Sequence, residues 1–417
     1  MNLFSLSWNY IKSKPLNTLL NVLLLSLGIA IILVLILLSS QLEEKLAKDK
    51  RGVDLVVGAK GSPLQLILAN VYHIDFPTGN IKLAEAKSLT RNRLIESTIP
   101  LALGDNYQGF RIVGTNHDYI NLYEGKIAAG ELFKYNLDVT LGSNVAKRLD
   151  LKLGDHFHGA HGMSVTDLEH DEKDYIVAGI LEPSGSVLDN LILTNIESVW
   201  AVHEHEEEHA HEEGEEHAHE KVLGSAYETG LPAGDEGAEV TSLLVKFRSP
   251  MGAVTLPRMI NSQTNMQAAS PAFETQRLFS LLGIGVNMLR SFAYIIIFIS
   301  GLSIFISLYN ALKDRKYDLA IMRSLGASRS KLFVHVVLEG IIITTLGGLL
   351  GLLFGHGLME LLAGYYEKSD EVGVTGLIFV QEELYVLLIS VGVGIVASLL
   401  PALNAYKTDI SKVLADD

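Results

Sequence analysis

The chain contains no cysteine among its 417 residues. Disulfide bonds, thiolate zinc sites and cysteine nucleophiles are therefore excluded, and histidine and carboxylate side chains remain as the metal ligands. Any part of the chain outside the cytoplasm would have to be stabilised by an ordinary hydrophobic core.

A second absence concerns nucleotide binding. No segment has the phosphate-binding spacing G-x-x-x-x-G-K-[ST], and the glycine-rich GAKGSP at residues 58–63 does not fit it. We interpret GAKGSP as a turn that glycine permits. Any ATP-driven work would then need a separate ATPase subunit, and we do not expect this chain to be an enzyme.

Charged residues are scarce as well, at 19% against 48% hydrophobic residues, and the mean hydropathy of +0.27 is typical of a membrane protein. The formal net charge is -15, yet residues 203–220 contribute nine Glu and no Lys or Arg, which leaves -6 for the other 399 residues. The acidity is therefore local, and it argues against nucleic acid as a partner.

Four apolar segments are each long enough for a helix that crosses a bilayer, which needs about 20 residues. They are residues 16–40, 292–312, 336–362 and 384–400, the last of which could begin earlier, at Leu377. A cleaved signal peptide is the alternative for the first segment. Its apolar run is longer than that of a signal peptide, however, and QLEEKLAKDK follows it in place of a small-residue cleavage site.

Lysine and arginine lie on one side of these four spans if the helices alternate in direction. The ten basic residues on this side are Lys12, Lys14, Lys313, Arg315, Lys316, Arg323, Arg329, Lys331, Lys407 and Lys412. The loop between the third and fourth spans is acidic instead. Because short cytoplasmic loops carry an excess of positive charge, both termini are expected in the cytoplasm and residues 43–290 outside it.

The region between the first two spans mixes two periodicities. DLVVGAKGSP, FRIVGTN, YIVAGIL, LILTNI and TSLLVKF are short and β-like, whereas AEAKSLTRNRL and SNVAKRLDL have helical spacing. The expected fold is an α-helical membrane protein with four transmembrane helices and a large mixed α/β extracytoplasmic domain between helices 1 and 2. SQLEEKLAKD and the segment from Phe273 continue the helical pattern into the membrane, and we expect stiff helical stalks there.

Twelve of the fourteen histidines lie in this same region. HEHEEEHAHEEGEEHAHE at residues 203–220 contains one H-E-x-x-H match, which we interpret as coincidental because the tract has no apolar face that would bury a helix. No cofactor is expected to bind tightly, but His-rich tracts favour transient binding of zinc or another divalent metal. The candidate ligands are His203, His205, His209, His211, His217 and His219 of the tract and His156, His158 and His161 of HFHGAH.

An acidic loop without fixed structure is the plainer interpretation of the tract, and it is compatible with metal capture. In an extended chain, pairs such as His203 and His205 would lie on one side. His356 and Glu360, one helical turn apart, are a separate candidate for a metal or proton site, with a solvated helix end as the alternative.

The residues from Asp314 onward carry a recognisable pattern. DRKYDLAIMRSLGASRSKLFVHVVLEGIIITTLGGLLGLLFG at residues 314–355 resembles the signature of the FtsX-like permease family, and LLPALNAYKTDISKVL at residues 399–414 resembles its closing segment. Between the first two spans, FRIVGTNHDYINL, GELF, VTLGSNVAKRLDLKLGDHF and VAGILEPSGSVLDNLILTNIESV are similar to the MacB-type periplasmic core domain. Together these segments cover most of the chain.

This resemblance implies a multi-pass permease of the type VII ABC family in the inner membrane, whose periplasmic domain moves when a MacB-like or LolD-like ATPase subunit closes in the cytoplasm. It also implies a homodimer or paired permease halves, contact with membrane lipids, and a periplasmic binding or adaptor protein. The expected ATPase-coupling residues are Arg323, Ser324, Leu325, Gly326, Ala327, Ser328, Arg329 and Lys331. Leu325 and Phe333 would be the apolar anchors in an ATPase groove, and a helix held by anionic lipid is the alternative.

The third span carries two further signals. Gly347, Gly351 and Gly355 recur every four residues and predict close packing of helices, either within the subunit or between two subunits, with a kink-tolerant helix as the alternative. Glu339, at the cytoplasmic edge of the span, matches a glutamate of the family.

The expected organisation alternates spans with segments on either side of the membrane. In chain order it is a cytoplasmic tail at 1–15, a span at 16–40, the periplasmic core domain at 41–272 with its insert at 203–220, a stalk helix at 273–291, a span at 292–312, the cytoplasmic coupling segment at 313–335, a span at 336–362, a periplasmic loop at 363–383, a span at 384–400 and a cytoplasmic tail at 401–417.

The sequence is compatible with two classes of function. The first is an ABC transporter permease that transmits ATP-driven motion, in handling of zinc or another divalent metal or, alternatively, in export of lipoprotein or peptide. The second is an FtsX-type regulator of a cell-wall hydrolase. The large core domain favours the first.

Overall fold

The computed structural model describes residues 3–161, 169–208, 231–232, 234, 237–366 and 374–407. The chain divides into two compact units. Met1–Leu42 and Leu282–Asp417 form one, called here the helical unit, and Glu43–Leu281 form the other, called the α/β unit. Two long helices contribute residues to both units.

The helical unit contains six helices in its described residues. They are α1 (Leu3–Ser13), α2 (Pro15–Asp49), α9 (Pro271–Asp314), α10 (Lys316–Ser324), α11 (Arg329–Tyr366) and α12 (Glu382–Lys407). Within the described residues, α2, α9, α11 and α12 are the helices long and apolar enough to cross a membrane, and each contains one of the four spans expected from the sequence. The break between α1 and α2 falls at Pro15, because proline disfavours helical backbone in the residue before it.

The long helices extend well beyond their apolar spans. α2 continues without interruption to Asp49, and α9 begins at Pro271, ahead of its apolar stretch. The helical pattern therefore continues beyond the apolar spans in both helices. α12 begins at Glu382 and not at Leu377, and the carboxylate of Glu383 accepts a hydrogen bond from the N–H of Val380 (2.9 Å) at this helix start.

The α/β unit contains six short helices in its described residues: α3 (Pro63–Asn70), α4 (Leu83–Thr90), α5 (His117–Leu122), α6 (Ser143–Leu149), α7 (Ile196–Glu208) and α8 (Met251–Gln263). GAKGSP includes the end of β1, the connection at residues 60–62 and the first residue of α3, and neither of its glycines has a positive φ. Ser62 caps α3 by accepting from the N–H of Gln65 (3.4 Å), and Pro63 occupies the first helical position.

The strands of this unit are β1 (Leu55–Ala59), β2 (Ile81–Lys82), β3 (Ile95–Tyr107), β4 (Phe110–Gly114), β5 (Ile127–Gly130), β6 (Asp138–Leu141), β7 (His156–His161), β8 (Glu169–Leu181), β9 (Leu191–Thr194), β10 (Glu239–Val240), β11 (Ser242–Phe247) and β12 (Met266–Ala269). In the described part of the chain, ten of them form one mixed sheet with the order β12-β1-β11-β3-β4-β9-β6-β8-β5, and β7 pairs with β3 and β8. β4–β9 and β6–β8 are parallel pairs.

The long strand β3 separates two hydrophobic cores. β1, β11, α4 and α8 enclose the first, which includes Leu55, Leu243 and Leu256. β4, β6, β9 and β8 enclose the second, which includes Ile112 and Tyr175. The branched and aromatic residues that predicted these strands from the sequence are the residues that fill the two cores, as a sheet with covered faces requires.

Candidate functional site

The turn between α10 and α11 is the centre of the candidate site. α10 ends at Ser324, and Gly326 beyond it has a φ of +97°, which L side chains rarely adopt. The N–H of Gly326 donates to the carbonyl of Arg323 (3.0 Å), and the N–H of Ala327 donates to the carbonyl of Met322 (3.0 Å). These two bonds are the Schellman arrangement, which satisfies carbonyls at a helix C-terminus. The backbone therefore requires the glycine of RSLGAS.

Leu325 lies at the tip of this turn with 83% of its surface exposed. On the far side of the turn, the Ser328 hydroxyl accepts from the N–H of Lys331 (3.3 Å), as an N-cap serine does at the start of a helix. Arg329 and Lys331 are exposed in the first turn of α11. The turn and cap expected from the sequence thus hold one apolar side chain clear of the protein, next to positive charge.

The opposite face of α10 is packed. Leu319 of α10, Val336 of α11 and Ala402 of α12 belong to one buried cluster, and Phe333 is half-buried against it. Of the two apolar anchors expected for an ATPase groove, only Leu325 is exposed. Phe333 instead helps to fix the platform from which Leu325 projects.

Arg315, between α9 and α10, joins three helices. Its guanidinium lies 3.4 Å from the carboxylate of Glu339, donates to the carbonyl of Tyr10 (3.3 Å) and the hydroxyl of Ser13 (3.2 Å), and stacks on the Tyr10 ring at 3.9 Å. The Arg315 and Glu339 side chains are only 13% and 9% exposed. Because a buried carboxylate is stable only with such a partner, Arg315 holds Glu339 at the edge of the span.

α1 packs beside this ion pair. The Ser7 hydroxyl lies 2.7 Å from Nδ1 of His335, and Nζ of Lys14 donates to the carboxylate of Asp314 at 2.5 Å. These contacts bring together, at one end of the helical unit, the basic segments that were expected on one side of the membrane. Lys412 lies outside the described residues.

The glycines of α11 face α2. A Cβ atom added to Gly347, Gly351 or Gly355 would lie 2.9, 2.7 or 2.6 Å, respectively, from an atom of Leu25, Ile29 or Leu33. Real Cβ atoms do not come so close, so these three glycines let α2 and α11 approach more closely than larger residues would allow. These contacts are packing within the subunit.

At the opposite end of α11, His356 bridges two elements. Its Nδ1 lies 2.6 Å from the carbonyl oxygen of Gly376, and its Nε2 lies 3.0 Å from the buried carboxylate of Glu383. Because a carbonyl oxygen can only accept a hydrogen bond, Nδ1 of His356 carries a hydrogen. A second hydrogen lies between Nε2 and the carboxylate of Glu383. Glu360 accepts from the N–H of Gly376 (2.7 Å). His356 and Glu360 therefore hold the segment before α12, although Glu360 itself is exposed.

Two of the histidines expected to bind metal have described contacts. His156 and His158 are two apart on β7 and share one face, where their Nδ1 and Nε2 atoms lie 3.4 and 3.1 Å from the carboxylate of Asp174. Among the described side chains, no group of three or more His, Asp or Glu could hold a metal ion. The side chain of His161 is outside the described residues. Asp174 is therefore the partner of both described histidines.

The first part of the histidine tract is helical. α7 runs to Glu208 and includes the backbone of His203 and His205. The backbone of this pair is therefore helical and not extended. His209, His211, His217 and His219 lie outside the described residues.

Sequence reasoning missed the partner of Glu339. The local sequence indicates the charge of Arg315 but not which carboxylate this residue will meet. The lead-in DRKYD before RSLGAS was the available signal, since it places Arg315 directly at a helix junction.

Comparison with known proteins decides the family. A model of the MacB-like periplasmic core domain matches residues 18–231, about half of the chain, and a model of the FtsX-like permease C-terminal matches residues 290–410. The chain belongs to the FtsX-like and MacB-type ABC transporter permeases. The resemblance carried by RSLGAS and by the core-domain segments is thus confirmed.

Individual relatives of this permease match over shorter stretches. An uncharacterized ABC transporter permease, YvrN, of Bacillus subtilis (strain 168) is 30% identical over 94 residues, 22% of this chain and 22% of that protein. The macrolide export ATP-binding/permease protein MacB of Hyphomonas neptunium is 26% identical over 144 residues, 34% of this chain and 20% of that protein. The permease thus spans about a fifth of the length of these relatives.

Among solved structures, the periplasmic region of MacB from Actinobacillus actinomycetemcomitans is similar to this permease. It is 14% identical with a TM-score of 0.34, and the match covers 56% of this chain and 97% of that one.

Proposed function

We propose that this permease is the membrane subunit of an ABC transporter complex in which a separate ATPase subunit hydrolyses ATP and the permease transmits the resulting motion to its α/β unit. The observation that carries this proposal is Leu325, which is 83% exposed on a turn that Gly326 and Ser328 define. An exposed apolar residue on a rigid platform, with Arg329 and Lys331 beside it, is suited to a groove on a partner protein.

The charge distribution supports the placement of the two ends. The end of the helical unit that contains Arg315, Lys14 and Lys331 lies in the cytoplasm, where positive charge accumulates. The α/β unit then lies on the other side of the inner membrane, in the periplasm. α2 and α9 are the continuous helices that contribute residues to both units, so they transmit movement outward.

A second copy of the permease, or a paired permease, covers part of α9. The apolar span of α9 is only 28% buried within the chain, against 56% for α2, 50% for α11 and 39% for α12. Lipid covers what the partner leaves exposed. Export of a lipoprotein or peptide, or regulation of a cell-wall hydrolase, would use the same subunit architecture and differ in what the α/β unit contacts.

Leu325 and Leu377 form a matched pair for testing the coupling. Both leucines are 83% exposed, and they precede α11 and follow it, so they lie beyond opposite ends of that helix. Leu325→Asn is expected to weaken ATPase binding about tenfold or more, because a buried interface anchor typically contributes about 2 kcal/mol. Leu377→Asn should leave it unchanged. Co-purification of the ATPase from membranes, and its turnover in nanodiscs, are the measurements.

Gly326→Pro provides a second variant for the same test, since proline cannot adopt a φ of +97°. Its effect should match that of Leu325→Asn. Unchanged ATPase binding in both variants would remove the assignment of this turn, and equal losses in Leu325→Asn and Leu377→Asn would show a general effect of polar substitution.

Divalent metal, with zinc preferred, is the proposed cargo or ligand of the histidine tract. The support is compositional: six His and nine Glu within residues 203–220. Under zinc chelation, a strain that carries a permease lacking residues 203–220 is expected to grow more slowly and contain less zinc than the wild type, as a full deletion strain does. Equal growth and equal cellular zinc in all three strains would refute metal handling.

A further inference from the structure

Tyr72 occupies a position where α2 ends and α9 begins. It follows α3 in the chain and is buried, with 6% of its surface exposed. Its hydroxyl lies 3.3 Å from the carbonyl oxygen of Leu46 in the last turn of α2 and 2.7 Å from the hydroxyl of Thr275 near the start of α9. One phenol group therefore contacts both helices that lead to membrane spans.

The hydroxyl groups of Tyr72 and Thr275 have fewer hydrogens than the contacts that they make. The Thr275 hydroxyl also lies 2.5 Å from the carbonyl of Pro271, so the two hydroxyls have two hydrogens for three contacts. When Thr275 donates to the carbonyl of Pro271, Tyr72 donates to the hydroxyl of Thr275 and has no hydrogen left to donate to the carbonyl of Leu46. When Thr275 donates to Tyr72, Tyr72 donates to Leu46. Burial raises the pKa of Tyr72, which keeps its hydrogen in place at neutral pH.

The backbone on either side of Tyr72 is held firmly by the α/β unit. His73 has a φ of +57°, and its Nε2 lies 2.7 Å from the hydroxyl of the fully buried Tyr119. The N–H of Ile74 donates to the carbonyl of Leu68 (3.0 Å), and Arg111 donates to the carbonyl of Asp75 (2.7 Å). The position of the phenol is therefore fixed by residues of the α/β unit outside α2 and α9, the unit to which Leu46 and Thr275 also belong.

Tyr123 offers an internal comparison. Its buried hydroxyl donates to the carbonyl of Asp49 at 2.8 Å, at the end of α2. No bond from it to α9 is present among the described residues. Tyr72 and Tyr123 thus satisfy carbonyls in the same helix terminus, but only Tyr72 connects that terminus to a second helix.

We propose that Tyr72 is a positioning residue that ties the end of α2 to the start of α9, and that its hydroxyl exchanges between Leu46 and Thr275 as the two helices move relative to each other. The tie makes the two helix ends move together with the rest of the α/β unit. This inference rests on the proposed function, in which α2 and α9 transmit the motion.

The tie can be measured without ATP or the ATPase. Because the chain has no cysteine, Lys48→Cys and Gln276→Cys, both at exposed positions, can be spin-labelled in the full-length permease in nanodiscs. Tyr72→Phe is expected to broaden the distance distribution between the labels, with the tied population reduced about fivefold by loss of one hydrogen bond. Tyr123→Phe should lower the thermal midpoint as much and leave the distribution narrow.

Thr275 provides a rescue test. Thr275→Val should broaden the distribution as Tyr72→Phe does, and Thr275→Ser should restore it, because serine keeps the hydroxyl. A distribution that stays narrow in Tyr72→Phe, or one that broadens equally in Tyr123→Phe, would overturn the inference whatever the function of the permease.

Coupling is the second measurement. With the ATPase bound, ATP is expected to shift the label distance in the wild type and to shift it less in Tyr72→Phe, at unchanged ATPase binding. If the distance distribution broadens in Tyr72→Phe but ATP shifts the label distance in neither the wild type nor the variant, the contact between the two helices is supported and the proposed transmission of motion is refuted.

Discussion

Each of the two units of the permease contains an ion pair between Arg and Glu, and the two pairs differ in burial. In the helical unit, Arg315 and Glu339 are 13% and 9% exposed, at 3.4 Å; in the α/β unit, Arg51 and Glu124 are 66% and 70% exposed, at 3.0 Å. The shorter ion pair is the weaker one, because water screens it and its long side chains lose entropy. Distance alone therefore does not rank these contacts, whereas burial does.

Packing shows the same division. In the α/β unit, apolar side chains leave water and fill two cores, which is a driving force that does not depend on exact fit. Helices within a bilayer gain little from leaving lipid, so contact geometry must hold them together. The helical unit accordingly relies on the glycines of α11 against α2 and on polar ties such as Arg315–Glu339.

The largest effect is expected from breaking the buried pair. Arg315→Ala leaves the Glu339 carboxylate without its partner inside the protein and should destabilise the helical unit by about 3–5 kcal/mol. Arg51→Ala, which removes the exposed counterpart, should cost about 0.5 kcal/mol or less. Chemical unfolding of the full-length permease in mild detergent, followed by helical circular dichroism, measures both.

A double variant separates charge from packing in this prediction. Arg315→Met combined with Glu339→Gln removes both charges and keeps similar volumes, so it should recover most of the lost stability. Equal destabilisation by Arg315→Ala and Arg51→Ala would contradict the view that burial determines the worth of these pairs.

The features that could be predicted from the sequence depend on residues adjacent in the chain. The four spans follow from apolar runs, the strand at LILTNI from branched residues, and the turn at Gly326 from glycine between two helical patterns. Each is set by local backbone preference or by periodicity. The same local signal identified the glycine face of α11.

The residues that pack against each helix face could not be predicted from the sequence. Periodicity shows that Gly351 lies on a packing face, but not that Ile29 of α2 meets it. The partner of Glu339 and the contact of His356 with Glu383 depend on how helices distant in sequence are rotated against one another. The exposed tip at Leu325 was predicted because it belongs to a turn; Tyr72 was not, because its importance lies entirely in two distant helices.

A histidine in each unit extends this comparison, and we expect it to have a smaller effect on stability than the buried ion pair. In the helical unit both ring nitrogens of His356 face acceptors, so that a charged ring is accommodated. In the α/β unit, Nδ1 of the buried His73 has no hydrogen-bond partner among the described residues. Burial, with a further contribution from Arg111, lowers the pKa of His73 to about 3.

Acid should therefore destabilise the α/β unit through His73. Since the pKa in the unfolded chain is near 6.5, the unfolded state binds the extra proton as the pH falls from about 6.5 toward 3, and stability is lost across that window. The slope should reach about 1.4 kcal/mol per pH unit. His73→Asn tolerates the φ of +57° and removes the titrating ring, so its thermal midpoint should fall less between pH 6.5 and 4.5. Parallel decreases in the wild type and His73→Asn would assign acid sensitivity to another group.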